Sequence, residues 1–171
     1  FVLQLTRTAY QRTRTDWQTL AAGGAFDHDL LYRPKPGSCV FRNAEFNTTM
    51  HFDEHGTRVT RAPRSALGAV PRPRLVVLGD SHAMGWGVED DETFASVLAG
   101  EYGYPTVNLG VSSYATPREL GRLQRDFALL PNDVIVIQYS DNDLPENRQF
   151  MANGLSGGYE LADIEVLHMH R

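Results

Sequence analysis

Strand-like and helix-like patterns alternate in the second half of the chain. Residues 75–78 and 134–137 are continuous apolar runs, and residues 106–109 form a third strand pattern between them. Short apolar runs without polar alternation are typical of strands covered on both faces of a parallel sheet. The segments between the strands carry apolar residues at helical spacing. This order predicts a β-α-β-α-β unit with a parallel sheet and right-handed connections.

Two helices are predicted between these strands. The first follows the polar residues 91–93 and closes at Gly103, and its expected buried side holds Phe94, Val97 and Leu98. The second begins at residues 116–119, where Thr-Pro-Arg-Glu predicts a capping box with proline at the first helical position. It ends at residues 131–133, and its expected buried face holds Leu120, Leu123, Phe127 and Leu130.

The first 73 residues lack this regular pattern and are predicted to form a lead-in to an α/β domain at residues 74–171. Residues 1–20 favour an amphipathic helix with large apolar side chains at every seventh position, Leu3, Tyr10 and Trp17. The rest of the lead-in is rich in proline and glycine, which predicts irregular structure with short strands at 39–41 and 48–52. A stripe of arginines is interpreted as a solvated linker rather than a phosphate-binding face: Arg58, Arg61, Arg64, Arg72 and Arg74.

Composition narrows the possible partners. The 171 residues, 42% of them hydrophobic, suit one main domain. A net charge of -5 argues against nucleic acid or an anionic membrane as the main partner. Cys39 is the single cysteine, which excludes an intrachain disulfide and a multi-cysteine metal site. No apolar run approaches the ~18 residues that a membrane-spanning helix needs.

The chain opens with FVLQL and has no initiator methionine. We therefore expect a processed or trimmed product. A domain displayed or released after an N-terminal anchor would be extracytoplasmic or membrane-anchored, and a trimmed cytoplasmic chain would have the same sequence features.

Polar residues follow each predicted strand, and the carboxyl ends of parallel strands meet in one crevice. Ser81 follows the first strand, Gly110 the second and Asn142 the third. A serine hydroxyl is a poor nucleophile, so acyl transfer needs a base and donors for the oxyanion. The N–H groups of Ser81 and Gly110 and the Asn142 amide could be those donors. Each residue alone also fits a turn, a strand-exit glycine or a helix cap, so the hypothesis depends on their grouping.

Three sequence blocks carry a resemblance to a known family. The segments LGDSHAMGWGVEDDETF, VNLGVSSYATPRELGRL and VIVIQYSDND resemble the first three blocks of the SGNH (GDSL-type) hydrolases, in the subgroup with a long lead-in. The resemblance implies a flavodoxin-like three-layer α/β/α domain with a parallel central sheet. It also implies a serine esterase or O-acyltransferase that acts on ester-linked acyl groups through an acyl-serine intermediate, without a cofactor.

On this sequence the resemblance assigns the nucleophile to Ser81 and the oxyanion hole to Ser81, Gly110 and Asn142. His82 gives the first block a GDSH form, which resembles that of SGNH domains that acylate or deacylate cell-surface polysaccharides. Small-molecule esters and acetylated glycans are therefore the expected substrates. Two departures are serines where the family commonly has glycine, Ser113 and Ser140.

The family's catalytic histidine lies in an Asp-x-x-His block near the C-terminus of the domain. The nearest match here is Glu165 with His168, a carboxylate three residues before an imidazole. Three alternatives stay open: His168 as the base oriented by Glu165, a histidine beyond Arg171, or no histidine. Asp80 and Asp143 are expected to be structural, with Asp80 capping the backbone N–H groups of its turn.

Other functions fit the sequence less well. His51, Asp53 and His55 alternate as metal ligands on a strand would, but residues 54–56 indicate a turn and no fourth ligand lies nearby, so no metal is expected. The glycine spacing in residues 79–87 matches neither G-x-G-x-x-G nor a P-loop, which argues against a nucleotide site. The strongest rival is a catalytically incomplete SGNH-like module that binds a glycan or a protein partner.

Overall fold

A computed structural model of the chain describes residues 23–42, 45–63 and 71–154. Several predicted features lie outside these residues: the helix around Leu3, Tyr10 and Trp17, Arg64, and the candidate pair Glu165 and His168. No helix in the described part is both long enough and apolar enough to cross a membrane.

The lead-in contains two antiparallel hairpins. β1 (Gly24–Asp27) pairs with β2 (Leu31–Pro34), and β3 (Gly37–Arg42) pairs with β4 (Asn47–Phe52). The short strands predicted at 39–41 and 48–52 are therefore present and part of a longer hairpin. The prediction of otherwise irregular structure is wrong for β1 and β2, where Gly24 and Pro34 lie at strand ends, but residues 53–63 and 71–73 lie outside the named strands and helices as expected.

A three-stranded parallel sheet forms the centre of the α/β part, as predicted. β5 (Leu75–Leu78) lies between β6 (Thr106–Asn108) and β7 (Val134–Ile137), and both neighbours run parallel to it. All four residues of β5 are buried, in agreement with its continuous apolar sequence. The three carboxyl ends lie at the same edge of the sheet.

β7 is not covered on both faces, contrary to the prediction. Val134, Ile135 and Ile137 are 44%, 41% and 46% exposed. Among the described residues β7 pairs only with β5, so it is an edge strand. An apolar run indicates a strand, but only its neighbours decide how much of that strand is buried.

Helices accompany the sheet throughout the described α/β part. They are α1 (Ser81–Met84), a 3-10 helix (Asp90–Glu92), α2 (Phe94–Gly100), α3 (Thr116–Asp126) and α4 (Asp143–Asn153). α2 lies between β5 and β6, and α3 lies between β6 and β7, so the mixed α/β class is confirmed. Both helices end earlier than the predicted Gly103 and residues 131–133.

α2 buries a different side from the one predicted. Its buried residues are all small: Ala95, Ser96 and Ala99. The predicted face is more open, with Phe94 exposed and Val97 and Leu98 half-buried. Ala95 packs with Val77 of β5 and Ala83 of α1. Small side chains let α2 approach the sheet closely, so they face it in place of the larger apolar ones.

α3 begins at the predicted place without the predicted capping box. Pro117 lies in its first turn, but the N-cap residue is Ala115, which offers no side-chain hydrogen bond. The Thr116 hydroxyl instead accepts a hydrogen bond from Asn147 Nδ2 at 3.3 Å. Thr116 therefore links α3 to α4, and proline supplies the start signal.

The buried face of α3 is mostly charged. It comprises Arg118, Glu119, Arg122 and Leu123, whereas Leu120 and Leu130 of the predicted face are exposed. The Arg118 guanidinium lies 4.3 Å from the centre of the Phe150 ring of α4. The predicted face is partly correct, since Leu123 is buried, but Arg118 and Arg122 are also buried because they have specific partners, which a hydrophobicity pattern does not register.

Arg58 fixes the lead-in to the α/β part, so its interpretation as part of a solvated linker is wrong, whereas Arg61 and Arg72 are exposed. Arg58 is buried, its Nε lies 2.9 Å from Asp90 Oδ1, and its Nη2 donates to the Val88 carbonyl oxygen at 2.9 Å. Arg61 also joins the two parts through an ion pair with Asp91 at 2.5 Å, and within the α/β part Arg74 pairs with Asp133 at 2.6 Å.

Arg122 makes another link of this kind. It is buried and donates hydrogen bonds to the carbonyl oxygens of Leu109 at 2.9 Å and Gly56 at 2.8 Å. Leu109 follows β6, and Gly56 lies in the turn after β4. One side chain thus satisfies buried carbonyl groups from both parts of the chain.

We expect Arg122→Met to lower the free energy of unfolding by about 2 kcal/mol or more, since each buried carbonyl left without a donor costs roughly 1–3 kcal/mol. Urea unfolding followed by circular dichroism measures the change. Arg148 is exposed, and the control Arg148→Met should stay within about 0.5 kcal/mol of the wild type. Equal stabilities of the two variants would contradict the role assigned to Arg122.

Candidate active site

The turn after β5 leaves no room for a side chain at position 79. A Cβ on Gly79 would lie 2.6 Å from Gln138 Oε1 and 2.7 Å from the Ala83 Cβ, and its φ of +149° also favours glycine. Gly85, with φ of +83°, ends α1 after one turn. Ser81, the first residue of α1, therefore lies at the carboxyl edge of the sheet.

Two side chains hold the first turn of α1. Asp80 Oδ1 accepts a hydrogen bond from the His82 backbone N–H at 2.8 Å, which is the predicted capping role. Gln138 Oε1, just after β7, accepts from the N–H groups of Asp80 at 3.3 Å and Ala83 at 3.1 Å. Nothing in the sequence distinguishes Gln138 from an ordinary strand-end residue, so its role is visible only in the structure.

Ser81 keeps its backbone N–H and its hydroxyl without partners among the described residues. The N–H groups of Asp80, His82 and Ala83 in the same turn are all engaged. Ser81 is also half-buried. One residue thus offers an unengaged hydroxyl and an unengaged hydrogen-bond donor at the sheet edge.

Gly110 packs directly against α1. A Cβ there would lie 2.5 Å from Met84 N and 2.7 Å from the Ala83 carbonyl carbon. The lack of a side chain at Gly110 therefore lets its backbone lie close to the helix that carries Ser81. The Gly110 N–H donates to Asn108 Oδ1 at 3.0 Å, so the predicted oxyanion donor is already engaged within its own turn.

Asn108 is a site residue that the motif did not single out. It is fully buried at the end of β6, and its Nδ2 donates to the Ala83 carbonyl oxygen at 2.7 Å. Its Oδ1 holds the Gly110 N–H, so this one side chain joins β6, the loop after it and α1. The Asn-x-Gly spacing in VNLG is the sequence signal that could have identified it.

Asn142 lies apart from this network. It immediately precedes α4, is exposed, and donates from Nδ2 to Glu146 Oε1 of that helix at 3.3 Å. Within the described part of the chain no hydrogen bond joins Asn142 to Ser81 or Gly110. The structure thus brings Gly110 to the Ser81 helix and leaves the Asn142 amide on a neighbouring turn.

An exposed imidazole follows Ser81 directly. His82 Nδ1 lies 3.1 Å from Asp80 Oδ1 and 3.2 Å from Ser140 Oγ. Ser140 Oγ in turn accepts a hydrogen bond from Gln138 Nε2 at 2.6 Å. The His82 ring is therefore held between α1 and the segment after β7.

Two buried carboxyl groups lie close to this turn. Neither oxygen of Glu119 has a hydrogen-bond partner among the described residues. Burial raises the pKa of Glu119 to about 8, and the charges of Asp143 and Asp80 add to the effect. Burial also raises the pKa of Asp143, whose Oδ2 accepts from the Ser140 N–H at 2.5 Å. Glu119 is therefore mostly protonated at neutral pH, which avoids an unpaired buried charge.

The residues of the metal alternative have other partners. His51 Nδ1 lies 2.5 Å from Asp90 Oδ2. Asp53 Oδ1 accepts from the N–H groups of His55 at 2.9 Å and Thr57 at 2.8 Å, which closes the predicted turn. In the ranges that the structure describes, no group of three or more His, Cys, Asp or Glu residues could hold a metal ion.

Comparison with known proteins adds no assignment. The chain matches no protein-family model. It also has no significant match among curated proteins. The candidate site is therefore argued from its own geometry.

We expect Gly110→Ala to lower the free energy of unfolding by about 1–3 kcal/mol, because the added methyl group must displace the backbone of α1. Gly100→Ala is the control, since its Cβ would meet only the flexible Arg61 side chain, at 3.0 Å from Cδ. That variant should stay within about 1 kcal/mol of the wild type. Chemical unfolding of both variants tests the comparison, and an unaffected Gly110→Ala would contradict the close packing.

Glu119 makes stability depend on pH. Its pKa is raised from 4.5 to about 8 in the folded chain, so its proton stabilises the fold at low pH and this contribution is lost as the pH rises through about 8. Glutamine resembles the protonated side chain at every pH. We therefore expect the stability of Glu119→Gln relative to the wild type to increase by more than about 1 kcal/mol between pH 5 and pH 9.

Unfolding free energies at the two pH values measure this difference. The control is Glu101→Gln, which changes an exposed glutamate and should show a smaller change with pH. A difference between Glu119→Gln and the wild type that does not vary with pH would contradict the assignment.

Proposed function

We propose that this protein is a serine esterase or O-acyltransferase of the SGNH (GDSL-type) class, in a flavodoxin-like three-layer α/β/α fold. Ser81 is its nucleophile. The observation that carries the proposal is that the Ser81 hydroxyl and N–H are both unengaged among the described residues, in a turn whose other N–H groups are bonded. Open α/β folds bind their ligands at this edge of the sheet.

In the first half of the reaction Ser81 Oγ attacks the carbonyl carbon of an ester, and its proton passes to a base. The candidate base is His168, oriented by Glu165. The tetrahedral oxyanion accepts a hydrogen bond from the Ser81 N–H. The bond to the leaving alcohol then breaks, the alcohol takes the proton, and acyl-Ser81 remains.

In the second half a hydroxyl group attacks acyl-Ser81. Water gives hydrolysis, and an alcohol gives transfer. Ester-linked acyl groups on small molecules or glycans are the proposed substrates, with acetylated glycans supported by the GDSH form of the first block. None of these steps needs a cofactor.

Gly110 and Asn142 are the proposed additional oxyanion donors. The Gly110 N–H would have to be shared between the oxyanion and Asn108 Oδ1, which it already meets at 3.0 Å. The Asn142 amide would have to leave Glu146 Oε1. The Ser81 N–H needs no such rearrangement and is therefore the leading donor.

A catalytically incomplete binding module is the second candidate. One observation favours it: no base hydrogen-bonds the Ser81 hydroxyl among the described residues. Such a module would bind a glycan or a protein partner at the same edge of the sheet without forming acyl-Ser81.

A fluorophosphonate probe separates the two candidates. We expect the wild type to be labelled at Ser81, because an activated serine attacks phosphorus as it attacks an acyl carbon. Ser81→Ala should lose the label, and the control Ser38→Ala, at an exposed position of β3, should keep it. Peptide mass spectrometry locates the adduct. A properly folded wild type that is not labelled would favour the binding module.

A further inference from the structure

We propose that His82 is the general base of the hydrolytic second half-reaction, and that its Nε2 accepts the proton of the water molecule that attacks acyl-Ser81. The inference rests on the proposed function of Ser81. It assigns a catalytic role to an imidazole inside the first block and adds a second base to the candidate His168.

The partners of His82 determine which ring nitrogen is basic. Nδ1 lies 3.1 Å from the Asp80 carboxylate, which can only accept a hydrogen bond when ionised. The Nδ1–H group therefore donates to Asp80, and the lone pair is left on Nε2. Ser140 Oγ, 3.2 Å from Nδ1, contacts the same edge of the ring. A carboxylate that orients an imidazole in this way is the arrangement of catalytic His–Asp pairs.

The pair of His82 and Asp80 differs from an ordinary surface ion pair because its carboxylate is buried. The His82 side chain is 74% exposed, whereas that of Asp80 is 3% exposed. His28 and Asp29 form a surface pair by contrast, with side chains 87% and 65% exposed. The Asp80 carboxylate is further fixed by the His82 backbone N–H at 2.8 Å. The buried carboxylate is thus an anchor, and the ring it holds presents its other edge to solvent.

The position of His82 favours the second half-reaction over the first. Ser81 and His82 are consecutive in one helical turn, and consecutive helical side chains do not face each other. In agreement with this, His82 makes no hydrogen bond to the Ser81 hydroxyl in the described structure. A water molecule that approaches acyl-Ser81 from solvent can hydrogen-bond to Nε2, because it is not bound by the directions of the two side chains.

Charge around the ring supports the same step. Two carboxyl groups lie beside the ring: Asp80 is bonded to Nδ1, and Asp143 is bonded to the N–H of Ser140, whose Oγ contacts the ring. Asp143 interacts electrostatically with His82. Negative charge at these positions stabilises the imidazolium that forms when Nε2 takes a proton.

The proposed step is balanced. The attacking oxygen forms a bond to the acyl carbon and passes its proton to His82 Nε2. The bond between Ser81 Oγ and the acyl carbon breaks, and the imidazolium returns the proton through solvent to Ser81 Oγ. The products are a carboxylic acid and the free enzyme.

The experiment follows hydrolysis of 4-nitrophenyl acetate by the full chain. The wild type should release a burst of nitrophenol followed by steady turnover. We expect His82→Gln to keep the burst and to lose about 100-fold or more of the steady rate, the range for loss of a general base. His82→Ala should behave likewise, and added imidazole should restore part of its turnover. His28→Gln, at the surface pair, is the matched control and should retain both phases.

The other outcomes overturn either the role of His82 or the proposed function. Turnover of His82→Gln within about twofold of the wild type, with the burst intact, overturns the role of His82 and leaves Ser81 as the nucleophile. Loss of the burst in His82→Gln also overturns it, because the base would then act in the first half-reaction. A wild type that shows neither burst nor fluorophosphonate label overturns the proposed function and, with it, this inference.

Discussion

The close approach of α1 to the ends of the parallel strands is the constraint on which the candidate site depends. Gly79 and Gly110 make the approach possible, since a Cβ at either position would lie within 3 Å of neighbouring atoms. Asn108 and Gln138 then hold the helix by hydrogen bonds to the carbonyl oxygen and the N–H group of Ala83. Residues at the ends of β6 and β7 thus hold the same turn of α1, and the two glycines leave the space that α1 occupies.

This arrangement leaves one donor unused. Asp80 and Gln138 engage the N–H groups on both sides of Ser81, whereas the Ser81 N–H has no partner among the described residues. The half-buried Ser81 therefore presents both a donor and a hydroxyl that make no hydrogen bond within the described residues. The Gly110 N–H, in contrast, is already bonded to Asn108 Oδ1, so it could bind a second acceptor only by sharing its hydrogen between the two.

Buried charged side chains, as well as apolar ones, hold distant segments of the chain together. Arg58 and Arg122 are buried and bind carbonyl oxygens or carboxylates of segments distant in the chain. The arginine fork supplies several donors in fixed directions, which suits the satisfaction of buried carbonyl groups. Glu119 differs from these arginines because its carboxyl group has no hydrogen-bond partner among the described residues. Burial raises its pKa to about 8, so the bound proton removes its charge.

The alternation of β5, α2, β6, α3 and β7 and the Asp80 cap were determined by the sequence itself, because each element depends on residues within a few positions of one another. The parallel direction of the sheet follows from that alternation, since helices of this length connect parallel strands. Ser81 at the end of β5 follows from the same local pattern. Only the tertiary structure decided that β7 pairs with β5 alone among the described residues, that α3 buries Arg122, and that the Gly110 N–H binds Asn108. These outcomes depend on which distant segments share a surface, as Arg122 and Gly56 do. Local periodicity carries no information about such contacts.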